Sequence, residues 1–272
     1  MASPLLDKRE ERIQQMFAKI APWYDWLNHL LSLNIDRYWR IRTTRLAAPG
    51  PVVNGPILDV CTGTGDLALA YDRATGGRIP IMAVDFCEPM LRRAAEKSRR
   101  RGSLGRIQYV EADAQALPFP DQHFQLVTVA FGLRNITDPD RGLAEMIRVT
   151  KPGGRVAILE FSRPRGMIVG RLYRWYFRRV LPAVGQLLSR SPDNAYHYLP
   201  ESVLAFPDGE DLAERLRSHG LVNVKYFPLT CGIATLYVGE KMDSSRPADP
   251  ATGAKVTNQA SGHYGAVCNS FA

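Results

Sequence analysis

ILDVCTGTGDLALA, residues 57–70, opens as a short apolar, β-like run, breaks at Gly63 and Gly65, and resumes as a stretch with helix-forming composition. A strand that turns on two glycines into a helix lets the backbone approach a ligand closely and presents the electropositive helix N-terminus to it. With Ala68 in the third place the turn also reads as the dinucleotide fingerprint GxGxxA. Taken alone, such a turn can be nothing more than a tight connection.

Working outward, four further apolar runs alternate with helical segments: IMAVDF at 81–86, IQYVEA at 107–112, LVTVAF at 126–131 and RVAILEF at 155–161. Strands interleaved with helices imply an α/β fold with a doubly wound, mainly parallel sheet. Two more runs, VNVKYF at 222–227 and ATLYVGEK at 234–241, follow a helix and are separated by only a few residues, which favours an antiparallel pair. The expected sheet therefore has seven strands. Residues 1–241 read as one domain, with an N-terminal helical lid over about 1–50 and a helical insertion over about 162–205. The small, polar, unpatterned residues 242–272 read as a disordered tail.

Acids mark the ends of three successive strands. Asp85 closes the second strand twenty residues after Gly65, where a carboxylate can accept both hydroxyls of a ribose. Asp113 follows the third strand, placed to accept from an adenine amine, with Ala114 offering a backbone amide and a small surface. Asp59 lies near the end of the first strand, suited to a methionine ammonium. Each aspartate could separately cap a helix or turn. Three of them around one glycine turn, at the crevice where such sheets bind ligands, point instead to an adenosyl group, and Asp113 favours S-adenosylmethionine over NAD.

The 272 residues are 45% hydrophobic and carry a formal net charge of +8, which suits an anionic partner without choosing among nucleic acid, lipid and phosphorylated substrate. Cys61, Cys87, Cys231 and Cys268 form no CxxC pair, so a reduced, cytoplasmic setting and no metal site are expected. The charged opening MASPLLDKREERIQQ is unlike a signal peptide, and no uncharged apolar run reaches membrane-spanning length. In 167–188, Arg171, Arg174 and Arg178 share a helical face beside Leu172, Tyr176 and Val180. That is the pattern of an interfacial helix on the anionic inner face of a membrane, and equally of a solvated basic face over a packed apolar one.

Beyond the fold, the chain resembles one family. ILDVCTGTGDLALA is similar to the cofactor loop of class I S-adenosylmethionine-dependent methyltransferases. The stretches IAPWYDWLNHLLSLNIDRYWR at 20–40, FGLRNITDPDRGLAEMIRVTKPGGRVAILEFSRP at 131–164 and YHYLPESVLAFPDGEDLAERL at 196–216 resemble the ubiquinone/menaquinone biosynthesis C-methyltransferases. Together they cover most of residues 13–241. The resemblance implies that Thr64, Asp85, Asp113 and Ala114 contact S-adenosylmethionine, and that the acceptor is a prenylated quinol, demethylmenaquinol above its benzoquinol counterpart. Cys61, Thr62 and Ala130 depart from the small residues and serine that some members carry, so any cofactor contact from a hydroxyl at position 130 is absent.

Transfer of a methyl group to a ring carbon requires in-line alignment, stabilisation of a phenolic oxyanion and removal of a proton. Arg134 and Asn135, just after the fourth strand, are assigned to the quinol oxygen and to its orientation. A loop arginine paired with Asp138 and a turn-forming asparagine are the plain alternative. Tyr24, His29, His197 and a water held by Arg134 are candidate bases, and Trp23, Tyr24, Trp26, Leu27, Leu30 and Leu31 supply a helix that is either ordinary core or a lid. The rivals are a Rossmann-type NAD-dependent oxidoreductase, disfavoured by the missing second catalytic domain, and a nucleic-acid-binding protein, for which no recognised module is visible. A homodimer is left open.

Overall fold

The computed structural model describes residues 10–50, 53–164, 166, 171 and 201–243; the chain divides after Met242, and the first unit carries all the elements. Three helices come first: α1 Glu10–Ile20, α2 Tyr24–Leu31 and α3 Ile35–Leu46. The alternating part follows as β1 Ile57–Val60, α4 Asp66–Ala74, β2 Ile81–Asp85, α5 Glu88–Arg100, β3 Ile107–Glu111, β4 Phe124–Ala130, α6 Pro139–Val149 and β5 Thr150–Phe161. The chain closes with α7 Glu210–Ser218, β6 Leu221–Leu229 and β7 Ala234–Lys241.

The seven strands form one sheet in the order β3-β2-β1-β4-β5-β7-β6. The first five pair in parallel, and β7 runs antiparallel between β5 and β6. The short link over 230–233 permits only a hairpin, which turns β7 back onto the sheet. All four residues of β1 are buried, as a central parallel strand covered on both faces requires. Leu58, Val60, Val127 and Ile158 join one core with α6 and α7, while Ile57, Leu126, Ala157 and Leu159 join the other with Trp39, Leu67 and Tyr71.

Local chemistry sets the helix starts. Asp138 caps α6 by accepting from the amides of Asp140 and Arg141, and Pro139 takes a first-turn place where no amide is needed. The strand expected at 155–161 begins five residues earlier: the KPGG segment is taken into β5, with a register shift where Phe124 pairs Thr150 and Leu126 pairs Arg155. Of the expected insertion only 162–164, 166, 171 and 201–205 are described; the remainder, the basic helix at 167–188 except for Arg171, His197 and the tail after Asp243 lie outside the described residues.

Chain order reverses at β1, whose neighbours are β2 on one side and β4 on the other. The crevice beyond the carboxyl ends of β1 and β4 is therefore the expected ligand position. Gly132 makes it possible for the two exits to lie together: a Cβ there would stand 2.5 Å from that of Cys61. Cys61 and Phe131, flanking the crevice, both hold positive φ, at 52° and 58°.

Candidate active site

A cleft enclosing about 730 Å³, its open mouth included, lies at that crevice, within the range of small-molecule sites. Asp85, Asp113, Ala114 and Gly63 line it, together with Tyr24 and Asn135. Ala130 also lines it, bringing no hydroxyl. Among the described residues no lysine or arginine does so. The walls are otherwise apolar and aromatic, with Phe17, Phe86, Met90 and Phe131 prominent.

Asp85 is fixed at the end of β2. Its Oδ2 accepts from the Gly63 amide at 2.8 Å and its Oδ1 from the Cys87 amide at 2.9 Å. Burial pushes its carboxyl up to about 6, even though the amides of Cys87, Gly63 and Phe86 favour the charged form. Asp113 is half-buried and accepts from the Gln115 amide at 2.9 Å and from the Gln115 side chain at 3.2 Å. Two carboxylates thus line one cleft, with no lysine or arginine on its described walls.

Asp59 does not join them. It is 1% exposed and absent from the cleft walls; its Oδ2 accepts from the Thr62 hydroxyl at 2.6 Å, and its Oδ1 has no hydrogen-bond partner. Burial pushes this carboxyl up to about 7, against the Thr62 hydroxyl. It therefore supports the glycine turn from behind.

Thr64 and Gly65 also face away from the cleft. The Thr64 hydroxyl donates to Asp25 of α2 and accepts from Lys97 of α5 at 3.1 Å, while Lys97 reaches Asp25 at 2.5 Å and Asp66 at 2.8 Å. Gly65, in the left-handed region at φ 81°, caps α4, where a Cβ would stand 2.9 Å from the Tyr109 hydroxyl. The glycine turn is thereby tied to the second N-terminal helix.

Arg134 requires a correction. The sequence places it at the crevice mouth as a cation for the quinol oxygen, but its side chain is 7% exposed and lies outside the cleft walls. Its Nη1 donates to Glu160 Oε1 and to the Phe131 carbonyl, both at 2.6 Å, and its Cζ sits 5.3 Å from the Phe161 ring centre. A buried cation needs a counter-charge, and Glu160, itself 1% exposed, supplies it in place of Asp138. Asn135, in the turn Leu133–Asn135, does face the cleft.

The base candidates separate. His29 hydrogen-bonds Asp36 through Nδ1 at 2.9 Å and does not line the cleft. Tyr24 does, and burial raises its hydroxyl above the usual value, which favours the protonated form at neutral pH. The helix read as core or lid divides likewise: Tyr24 walls the cleft, while Trp23 and Trp26 are exposed. The sequence reading missed Ile13 and Phe17 of α1, which complete the wall; their spacing of four on one helical face was the available signal.

The chain matches the model of the ubiE/COQ5 methyltransferase family over residues 5–241. It is 46% identical over 236 residues to the ubiquinone/menaquinone biosynthesis C-methyltransferase UbiE of Geobacter sulfurreducens, covering 87% of this chain and 91% of that one. To the demethylmenaquinone methyltransferase of Deinococcus radiodurans it is 45% identical over 242 residues, covering 88% and 97%. Among solved structures it is similar in fold to an S-adenosylmethionine-dependent methyltransferase of Thermotoga maritima, with a TM-score of 0.58 at 16% identity, covering 84% of this chain and 99% of that one. A Haemonchus contortus phosphoethanolamine N-methyltransferase in complex with S-adenosyl-L-methionine gives 0.54 at 16% identity, covering 78% and 57%. Matched by the family model over residues 5–241 and aligned with nearly the full length of these two relatives, the chain belongs to the ubiE/COQ5 methyltransferase family.

Proposed function

We propose that this chain transfers a methyl group from S-adenosylmethionine to a ring carbon of a prenylated quinol, demethylmenaquinol first and its benzoquinol counterpart second. The observation that carries the reading is the cleft with two carboxylates, Asp85 and Asp113, and no lysine or arginine among its described walls. Such walls fit a cationic, hydroxyl-bearing ligand and repel a pyrophosphate. The names of the relatives supply the class of acceptor.

When bound, S-adenosylmethionine supplies a methyl group on a positively charged sulfur. Asp85 holds the ribose hydroxyls, with its position set by the Gly63 and Cys87 amides. Asp113 and Ala114 take the adenine edge. Phe17, Phe86 and Phe131 keep water from the reacting centre. Tyr24 donates a hydrogen bond to the phenolic oxygen as charge develops on it, and Asn135 orients the ring. Arg134 positions the turn that carries Asn135, through its bonds to Glu160 and the Phe131 carbonyl. The chain works in the cytoplasm at the inner membrane face, where a long-tailed quinol is available; no helix among the described residues is long and apolar enough to cross a membrane.

Incubation of the full chain with methyl-labelled S-adenosylmethionine and either demethylmenaquinol or its benzoquinol counterpart tests the reading. Label on a ring carbon of the naphthoquinol is expected. Cofactor binding without transfer to either acceptor would overturn the substrate class, and binding of NADH in place of S-adenosylmethionine would overturn the cofactor.

A further inference from the structure

Eight large apolar side chains stand exposed among the described residues, and five of them lie within residues 23–41: Trp23, Trp26, Leu33, Tyr38 and Ile41. Leu33 is 75% exposed, Trp23 63% and Trp26 51%. Burying such side chains is ordinarily favourable, so a concentration of them on one helical hairpin marks a surface that meets another phase or partner.

The polar residues interspersed with them indicate which. On α3, Arg37, Ile41 and Arg45 recur every four residues and are exposed, with Tyr38 beside them. The one acid of that helix, Asp36, is buried at 4% exposure and taken by Arg40 at 2.5 Å, by Ser32 at 2.7 Å and by His29. The outer face of α3 is therefore apolar and cationic, with its negative charge withdrawn beneath it. A second copy brought onto it about a two-fold axis would set arginines of like charge close together. Aromatic rings with an apolar body and a polar edge, flanked by guanidinium groups, match the headgroup layer of an anionic bilayer instead.

We propose that the hairpin formed by α2 and α3 docks this chain on anionic lipid, with Trp23, Trp26, Leu33, Tyr38 and Ile41 entering the headgroup layer and Arg37 and Arg45 meeting lipid phosphates. Tyr24, between the two tryptophans in sequence, walls the cleft, so one short helix serves both the lipid surface and the reaction cavity. That the surface serves to collect a prenylated acceptor rests on the quinol reading; the docking itself does not.

The test uses the full chain with phosphatidylcholine vesicles, with and without phosphatidylglycerol, and two variants: Trp23→Ser with Trp26→Ser, and Arg37→Glu with Arg45→Glu. The unsubstituted chain should bind the phosphatidylglycerol vesicles more tightly than the neutral ones. The tryptophan variant should bind them about tenfold more weakly or worse, and the arginine variant should lose the salt-sensitive part of the binding. Both should keep their helical signal, their cofactor affinity and their rate on a short-tailed, water-soluble quinol. Vesicle affinity unchanged in both variants, no vesicle binding by the parent chain, or a dimer that the substitutions break apart would each overturn the proposal. Lost vesicle binding in an enzyme that methylates no quinol would leave the docking standing and remove the quinol reading. Methylation with vesicle affinity untouched by the substitutions would do the reverse.

Discussion

The ends of β2 and β3 and the ends of β4 and β5 handle charge in opposite ways. Asp85 and Asp113 look into one cleft with no cation on its described walls, and the Asp85 carboxyl is pushed up to about 6 by its own burial. Arg134 and Glu160, at least as deeply buried, close on one another at 2.6 Å. A buried charge left without a protein partner is costly, so the first pair has the character of a site whose counter-charge arrives with a ligand. The second pair is already neutral and holds the chain. Of the two regions, the acid-bearing one has the charge to receive a cationic ligand, and the paired one holds the fold together.

The largest effect should come from breaking the paired region. Arg134→Ala leaves Glu160 buried without its partner and should cost about 3–5 kcal/mol of stability, seen as a fall in Tm of roughly 10 °C. Adding Glu160→Gln should recover much of that fall. An Arg134→Ala protein with unchanged Tm and no turnover would return the arginine to the substrate-facing role that its sequence position suggests.

Asp85→Ala should do less to stability and more to binding: the Gly63 and Cys87 amides lose an acceptor, so Tm falls but by less than in Arg134→Ala, while S-adenosylmethionine affinity is reduced about 100-fold by loss of two charge-assisted hydrogen bonds, read by titration calorimetry. A matching drop in Tm would mean that Asp85 is structural and the contrast between the regions false.

The smallest effect is one of pH. Because the folded-state value of Asp85 is raised, protonation stabilises the empty fold as pH falls through about 6 towards the ordinary carboxylate range, and that contribution is lost as pH rises. A cationic ligand prefers the ionised form. Affinity should therefore weaken about tenfold between pH 8 and pH 5, and Asp85→Asn should flatten the profile. A profile that is flat before the substitution would remove Asp85 from the cofactor site.

Much of this architecture was legible because it is local. The five apolar runs fell on β1 to β5 and the short-linked pair on β6 and β7, since strand period and burial on both faces leave their pattern in the sequence itself. The boundary of β5 was not legible: glycine and proline in KPGG carry no strand signal of their own, and only pairing with β4 draws that segment into the sheet. Nor was the fate of Trp23 and Trp26, whose apolar character is equally that of core residues but which the fold leaves exposed.

The order of the elements, the glycine turn and the acids at successive strand ends could be read along the chain, because backbone preference and spacing suffice for these. Only the tertiary structure decided which charges are satisfied. Arg134 finds Glu160 26 residues away, Thr64 finds Asp25 39 residues away, and Asp59 turns behind the loop that Asp85 faces. Those outcomes depend on where side chains from separate strands and helices point once packed, and side-chain direction across a long loop has no local signature.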